Sequence, residues 1–225
     1  LAMSSAIVMP ITNVFSLHII SVPTNFVLKN NVVSFSFGNY NKHSRLLIDP
    51  VLIWSTFFGS TGTDGFNSIA IDNNGNTFLC GESTSPAFPT MSAGTYYDGT
   101  IGSGNDIIIA KFSAAGTFLW GTFFGGFAAS GDDEDGTGIK TDAAGNVFVT
   151  GITNAPNFPV QSGGGYYNAL LNGTGSGNSK DGFLAKFSNN GALIFSTFIG
   201  GASDDIPHDV TIDNNGNVFV SGETY

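Results

Sequence analysis

The stretch IDNNGNTFLCG, residues 71–81, decides the fold of this chain because the chain contains it three times. It returns as TDAAGNVFVTG at residues 141–151 and as IDNNGNVFVSG at residues 212–222, so the copies begin 70 and 71 residues apart. Self-similarity at a nearly fixed spacing is the sequence signature of a repeat architecture. The chain is therefore predicted to be a repeat protein.

Other landmarks keep the same order and nearly the same spacing. WSTFFG at residues 54–59 recurs as WGTFFG at 120–125 and as FSTFIG at 195–200. The dipeptides Phe-Pro and Tyr-Tyr each occur once in the first repeat and once in the second. So many landmarks in one order indicate that the repeat extends over most of the chain.

Each repeat is predicted to contain four β-strands, which in the first copy cover about residues 68–72, 76–81, 106–112 and 117–124. The aspartate that ends the first strand is suited to accept hydrogen bonds from the amides of the following turn. The glycine three residues later supplies the positive φ that a bulged hairpin loop needs. These structural turn residues are Asp72 and Gly75, Asp142 and Gly145, and Asp213 and Gly216.

Two of the predicted strands are apolar without alternation, namely IIIA at residues 107–110 and FLW at 118–120. A strand of this kind is buried on both faces, which a β-propeller achieves by stacking each blade between its neighbours. The predicted fold is all-β, a partial β-propeller of about two and a half four-stranded blades. The blades are expected at about residues 67–124, 138–199 and 208–225.

The composition excludes several classes of protein. The 225 residues include 7 Lys+Arg and 17 Asp+Glu, a net charge of −10, and only 11% of residues are charged. Seven basic residues cannot build a face for nucleic acid, and the 13% aromatic content is untypical of disorder. No segment is apolar enough for a membrane span. Since the chain starts at Leu1 and stops partway through a third repeat, it is expected to be a fragment.

A family resemblance is carried by residues that the repeat preserves. They are STFFG at 55–59, Asp72-x-x-Gly75-Asn76-x-Phe78 through Gly81, Phe88-Pro89, and Asp106 with AKF at 110–112. Over about residues 51–225 this pattern resembles the SBBP β-propeller repeat of bacterial secreted and cell-surface proteins. Residues 33–50 resemble the end of the β domain that often precedes such repeats, so residues 1–50 are expected to be the C-terminal part of that domain.

The resemblance implies an extracellular or cell-surface location and further propeller blades in the same chain. It implies a role as a scaffold, in adhesion, or in binding a protein or glycan partner. No catalytic motif accompanies this repeat, so the protein is expected not to be an enzyme and to need no cofactor. The alternatives are a Ca²⁺-stabilised carbohydrate-binding propeller, and part of a lyase or hydrolase whose active site lies in other blades.

The second repeat contains four extra residues within the acidic run GDDEDG. Its carboxylates offer hard oxygen ligands of the kind that Ca²⁺ takes, and the candidate metal ligands are Asp132, Asp133, Glu134 and Asp135. The competing interpretation, a solvated acidic loop, is favoured because runs of like charge usually face solvent. Adjacent side chains also diverge, whereas a chelating loop uses alternate positions.

Two lysines lie within apolar strands, and each follows an aspartate by five residues. A lysine in such a place needs a partner. A structural ion pair or hydrogen bond, within or between blades, is therefore predicted for these residues, with Asp106 and Lys111 and then Asp181 and Lys186 as the candidate ion pairs. Because the pattern recurs in each complete repeat, a structural role is favoured over a catalytic lysine.

The residues needed for catalysis are sparse. No two histidines have the spacing of a zinc site, and Arg45 is the only arginine, so a sialidase is excluded for these residues. His208 with Asp209 is the one candidate pair for a lyase. The favoured interpretation is a non-enzymatic propeller.

Overall fold

A computed structural model describes residues 5–6, 24–29, 32–37, 39, 53–94, 96–102, 104–127, 133–172 and 179–225. The chain forms two compact units, one of Leu1–Ala6 with Thr56–Tyr225 and one of Ile7–Ser55. None of the described residues belongs to a helix that could cross a membrane.

The strands, in chain order, are β1 (Ser5–Ala6), β2 (Thr24–Lys29), β3 (Val32–Phe37), β4 (Thr56–Phe57), β5 (Asp64–Ile71), β6 (Thr77–Ser83), β7 (Asp106–Phe112), β8 (Phe118–Phe124), β9 (Asp135–Thr141), β10 (Val147–Thr153), β11 (Asp181–Phe187), β12 (Leu193–Ile199), β13 (Asp205–Ile212) and β14 (Val218–Thr224).

The smaller unit contains an antiparallel hairpin of β2 and β3, which pairs Thr24 with Phe37 and Lys29 with Val32. The first unit contains the short antiparallel pair of β1 and β4. The sequence assigns Ser5–Ala6 to the upstream β domain, whereas the structure pairs these residues with Thr56–Phe57 at the start of the repeats.

Two four-stranded antiparallel sheets form the body of the first unit, and their strands follow chain order. We call β5–β8 blade 1, β9–β12 blade 2, and the two-stranded sheet of β13 and β14 the half-blade. This arrangement confirms the predicted all-β fold with four-stranded units. Strand β5 packs against β9 and β9 against β13, so the first strand of each unit lies innermost.

The first strand of each unit begins earlier than the sequence suggested. Blade 1 starts at Asp64, blade 2 at Asp135 and the half-blade at Asp205, each three residues before its predicted start. In every case the register to the second strand shifts near the third or fourth residue, which is a β-bulge. The bulge interrupts the apolar pattern, so the sequence shows no strand signal before it.

The third strand of blade 1 lies in the interior, as its unbroken apolar run predicted. All seven residues of β7 are buried. Between the blades, the ring of Phe124 lies 4.7 Å from that of Phe158, 5.8 Å from that of Phe183 and 5.0 Å from that of Phe187, centroid to centroid. Aromatic edge-to-face contacts of this kind add to the free energy of burial. The facing surfaces of blades 1 and 2 thus form one shared apolar core.

A glycine in the second strand of each unit faces the bulge. A Cβ added at Gly151 would lie 1.9 Å from the carbonyl oxygen of Asp135, closer than any real side chain approaches backbone. The equivalent glycines Gly81 and Gly222 have the same obstacle, at 2.0 Å and 2.3 Å. The bulge therefore explains why the repeat retains glycine at this position.

We predict that Gly151→Ala lowers the free energy of unfolding by at least about 2 kcal/mol, because backbone must move to admit the methyl group. Gly165→Ala is the matched control, since a Cβ there meets nothing within 4 Å. Urea denaturation of both variants measures the difference. Equal stability of the two variants would show that the bulge does not require glycine.

Candidate functional site

The aspartate of each repeat organises the turn between its first two strands. One oxygen of Asp72 accepts the backbone N–H groups of Asn74 and Asn76, both at 2.9 Å, and the other accepts the side-chain amide of Asn76 at 2.8 Å. Gly75 has a φ of 78°. The turns that begin at Asp142 and Asp213 make the same hydrogen bonds.

Ionisation of the turn aspartates is favoured. Burial raises the pKa of Asp72, but hydrogen bonds from Asn76, Asn189 and Asn74 outweigh it and leave this pKa below its ordinary value. At Asp213, hydrogen bonds from Asn217 hold the pKa below its usual range. A lowered carboxyl pKa contributes stability above the unfolded value, and this contribution is lost as the pH falls through the folded value.

Asp106 does not pair with Lys111 within its strand, nor Asp181 with Lys186, whereas both lysines have the structural partners that the sequence predicted for them. The two residues of each pair lie at opposite ends of one strand, since Asp106 is opposite Ser83 and Lys111 opposite Phe78. A strand rises by about 3.3 Å per residue, and an odd separation places side chains on opposite faces. No ion pair within the strand can therefore form.

Each lysine instead reaches the turn of its own blade. Lys186 Nζ lies 3.5 Å from the carboxylate of Asp142 and 4.7 Å from the ring centroid of Phe148. Lys111 Nζ lies 5.0 Å from the ring centroid of Phe78. Burial lowers the pKa of Lys111, and the charge of Asp72 opposes that shift. We call a turn aspartate with the phenylalanine six residues later a lysine socket.

Asn189 joins blade 2 to blade 1 and was not found from the sequence. Its carbonyl oxygen accepts hydrogen bonds from Lys111 Nζ at 3.0 Å and from Trp120 Nε1 at 3.1 Å, and its Oδ1 also accepts from Lys111. Its Nδ2 donates to Asp72 Oδ2 at 3.2 Å and to the carbonyl of Gly145 at 2.9 Å. Asn189 thus links the lysine socket of blade 1 to the turn between β9 and β10 of blade 2.

The buried aspartates Asp106 and Asp181 open the third strands at the opposite end of the blades. Asp106 Oδ2 accepts the N–H of Gly102 at 3.0 Å, and Asp181 Oδ2 accepts the N–H of Asn172 at 2.8 Å. These bonds tie the long connection after the second strand to the start of the third.

A second carboxylate is buried at the start of each unit. Asp64 accepts the N–H of Ser60 at 2.6 Å, Glu134 accepts that of Gly126 at 2.9 Å, and Asp205 accepts that of Gly201 at 2.6 Å. The hydroxyls of Ser83 and Ser85 also donate to Asp64, and that of Thr153 to Glu134.

These carboxylates explain the glycine that ends the STFFG motif. A Cβ at Gly59, Gly125 or Gly200 would lie 2.7, 2.2 or 2.7 Å from an oxygen of the blade's buried acid. The carboxylate occupies the space of the missing side chain.

The acidic run does not act as one chelating loop among the residues the structure describes. Glu134 is buried with Thr153, Asp133 forms an ion pair with Lys180, and Asp135 accepts a hydrogen bond from Asn67 at 2.6 Å. Neighbouring residues of an extended segment point to opposite faces, so their carboxylates separate. Asp132 lies outside the described residues. Within the described ranges, no three His, Cys, Asp or Glu side chains are grouped to hold a metal ion.

Asp135 is electrostatically unfavourable where it lies. Burial, together with the charges of Glu82 and Asp133, raises its pKa to about 6, against smaller opposing effects of Asn67 and Lys180. The equivalent residues Gly65 and Ile206 carry no charge.

The repeats differ in chemistry at the bulge of the innermost strand. The bulged residues are Asn67, Thr137 and His208. Asn67 Nδ2 donates to the carbonyl of Gly136 at 3.3 Å, and Thr137 Oγ1 donates to the carbonyl of Pro207 at 2.6 Å. The side chains of Asn67 and Thr137 therefore each bond to the residue that precedes the bulge of the next unit.

His208 does not form the predicted pair with Asp209. Its Nε2 lies 3.2 Å from Glu223 Oε1, and both side chains are about half exposed. The carboxylate of Asp209 accepts the N–H of Val210, its own neighbour.

Residues 53–88 and 194–225 match the family model described as SBBP, a β-propeller repeat. These two segments are SBBP β-propeller repeats. No curated protein matches the chain.

The SBBP match is offset by one strand from the structural unit. Residues 194–225 cover the outer strand β12 of blade 2 together with β13 and β14 of the half-blade. Residues 53–88 likewise cover β4 with β5 and β6. One SBBP sequence unit therefore spans two neighbouring sheets, and this couples each sheet to the next through the covalent chain.

We predict that Asn189→Ala lowers the free energy of unfolding by about 1 to 3 kcal/mol, because it leaves Lys111 and Asp72 without their amide partner. The matched control is Asn190→Ala at the exposed neighbouring position, where we expect a change within about 0.5 kcal/mol. Urea denaturation checks both values. Equal effects of the two substitutions would contradict a bridging role for Asn189.

We predict that Asp135→Asn raises the melting temperature near pH 8. The pKa of Asp135 is raised from 3.8 to about 6, so ionisation destabilises the fold above about pH 6 and the penalty disappears as the pH falls toward about 4. The gain in the variant should therefore shrink between these values. Thermal melts across this range test it, with the exposed Asp209→Asn as control. A variant that melts lower than wild type at pH 8 would refute the assignment.

Proposed function

We propose that these SBBP repeats form a non-enzymatic structural and binding region of a bacterial protein that acts outside the cell or on its surface. The observation that carries the proposal is the contrast between shared and variable positions. The turn aspartates and the buried acids shared by the repeats hold turns and connections within each unit, whereas Asn67, Thr137 and His208 differ at one structural position. In repeat proteins, partner selection is expected where equivalent positions vary.

The surface around the bulges is rich in hydrogen-bonding groups. Asn105 Nδ2 donates to Glu82 Oε2 at 2.5 Å and to the carbonyl of Glu134 at 3.1 Å, close to Asp135. Lys180 adds one cation beside Asp133. Such a surface supports recognition of hydroxyl and amide groups, as a glycan or a protein partner presents them.

The contacts of the reactive side chains support a binding role over catalysis. Lys111 donates to Asn189 and lies beside a phenylalanine ring, so its amine is engaged. The pair of His208 and Glu223 is exposed to solvent. A general base works best when its pKa is tuned by a sheltered site.

The proposed location rests on the resemblance to a family of secreted and cell-surface proteins, while the net charge of −10 opposes self-association. Protease treatment of intact cells of the source organism tests the location. The protein should be cleaved without lysis.

The binding role is tested with an array of neutral and acidic glycans and with the double variant His208→Ala, Glu223→Ala. Both side chains are exposed, so the fold should survive the change. We expect a bound glycan to lose about tenfold in affinity in the double variant, and Asn190→Ala to bind as wild type does.

Two further assays separate the alternatives. Bound glycans are incubated with the chain, and unsaturated products and new reducing ends are measured. If such products form with the unmodified chain and are absent with the His208→Ala variant, the protein is an enzyme and the proposal is wrong. Melting curves are also recorded in Ca²⁺ and in chelator. A rise in Ca²⁺ that Asp133→Asn abolishes would favour the Ca²⁺-stabilised alternative.

A further inference from the structure

The amine of Lys111 and the side-chain amide of Asn189 meet at the junction of blades 1 and 2. Lys111 Nζ donates one hydrogen bond to Asn189 Oδ1 and another, of 3.0 Å, to the backbone carbonyl of the same residue. Because Oδ1 is bonded to Cγ at about 1.23 Å, Nζ lies within about 4 Å of Cγ. The fold thus holds an amine beside the carbonyl carbon of an amide.

The orientation of this amide follows from its partners. Lys111 Nζ can only donate, whereas a carboxylate and a backbone carbonyl can only accept. Asn189 Nδ2 donates to Asp72 Oδ2 at 3.2 Å and to the carbonyl of Gly145 at 2.9 Å. Oδ1 therefore faces the amine, and Nδ2 faces two acceptors that stabilise positive charge on it.

The surroundings keep most solvent away from the amine. Lys111 is 5% exposed, and its Nζ lies 5.0 Å from the ring centroid of the buried Phe78. Trp120, also buried, donates from Nε1 to the backbone carbonyl of Asn189 at 3.1 Å. Burial lowers the pKa of Lys111 against the opposing charge of Asp72, and a lowered pKa increases the neutral, nucleophilic fraction of an amine.

We propose that Lys111 and Asn189 form an isopeptide bond, which joins the third strand of blade 1 covalently to the turn after the third strand of blade 2. The lone pair of Nζ attacks Cγ, the Nζ–Cγ bond forms, and the Cγ–Nδ2 bond breaks. Counted from the ammonium form of Lys111, the two protons that Nζ loses both end on Nδ2. The products are a secondary amide and an ammonium ion, so no oxidant, reductant or cofactor is consumed.

Asp72 is the group placed to carry these protons. Its Oδ2 already accepts a hydrogen bond from Nδ2, the atom that must be protonated before it leaves. In the equivalent socket of blade 2, Lys186 Nζ lies 3.5 Å from the carboxylate of Asp142, so a lysine in this position reaches the turn aspartate. A carboxylate that receives a proton from the amine and passes it to the leaving nitrogen acts as a general base and then as a general acid.

The fold supplies the conditions that make such a reaction fast. Two groups fixed in contact react as if at very high concentration, since the entropy of bringing them together has been lost on folding. The linked residues are 78 positions apart, and a cross-link that closes a long loop stabilises mainly by restricting the unfolded chain. The bond forms once in each molecule, without turnover, so it does not depend on the proposed binding role.

Intact-mass spectrometry of the purified 225-residue chain, shown to be folded by circular dichroism, tests the bond. We expect a mass lower than that of the sequence by one molecule of ammonia, and a proteolytic peptide in which Lys111 is joined to Asn189. Lys111→Arg keeps the positive charge without a nucleophilic amine, so it should restore the full mass. Lys186→Arg is the matched change in blade 2 and should leave the deficit. A folded wild-type chain of full mass would overturn the proposal.

Succinimide formation at an Asn-Gly pair also releases ammonia, and Asn190 precedes Gly191 beside the site. Two variants separate the reactions. A deficit from the isopeptide bond is lost in Lys111→Arg and kept in Asn190→Ala, whereas a deficit from a succinimide at Asn190 is kept in the first and lost in the second. A deficit that survives Lys111→Arg would therefore overturn the proposal.

The role of Asp72 is tested by the rate of bond formation in freshly synthesised protein. The linked fraction is followed on denaturing gels, where a chain closed into a loop migrates differently from an open one. Asp72→Asn should slow the reaction by about 100-fold. Asp142→Asn changes the equivalent turn of blade 2 and should leave the rate unchanged. Equal rates in the two variants would overturn the assignment of Asp72.

Discussion

The rest of the structure depends on the burial of the third strand of blade 1, β7, on both of its faces. A strand such as IIIA in β7 has no polar face to offer to water, so it needs a neighbouring sheet on each side. The STFFG motif supplies one side and the following blade supplies the other. Each blade then depends on its neighbours for stability, as in other repeat proteins. Polar contacts such as those of Asn189 fix how the apolar surfaces of two blades align.

The sequence predicted the elements whose signal lies within a few residues. The unbroken apolar run identified the buried third strand, and the repeat spacing identified the four-stranded unit. The first strand of blade 1 was predicted from about residue 68 and begins at Asp64, because a bulge breaks the periodic pattern on which strand prediction rests. A periodic sequence pattern predicts regular strand geometry, and a β-bulge departs from that geometry.

Partners across the fold were harder to predict from sequence. Lys111 and Asp106 were linked because they are close in the chain and recur together, yet a strand holds them at opposite ends. The residue that holds Lys111 is Asn189, 78 positions away. The acidic run misled for the same reason, since Asp133, Glu134 and Asp135 point to different partners. The repeated glycines at 59, 125 and 200 were a usable signal, because a glycine retained outside a turn marks a close approach.

The two ends of each blade differ in their electrostatics, and this difference bears on function. At the turn end, hydrogen bonds favour the ionised aspartates, and every repeat retains them. At the bulge end, Asp135 lies where burial and Glu82 oppose its charge, and the equivalent positions in the other repeats are Gly65 and Ile206. An electrostatically unfavourable residue at a position where the repeats differ is typical of functional surfaces, and it supports the proposal that these repeats bind a partner at the bulges.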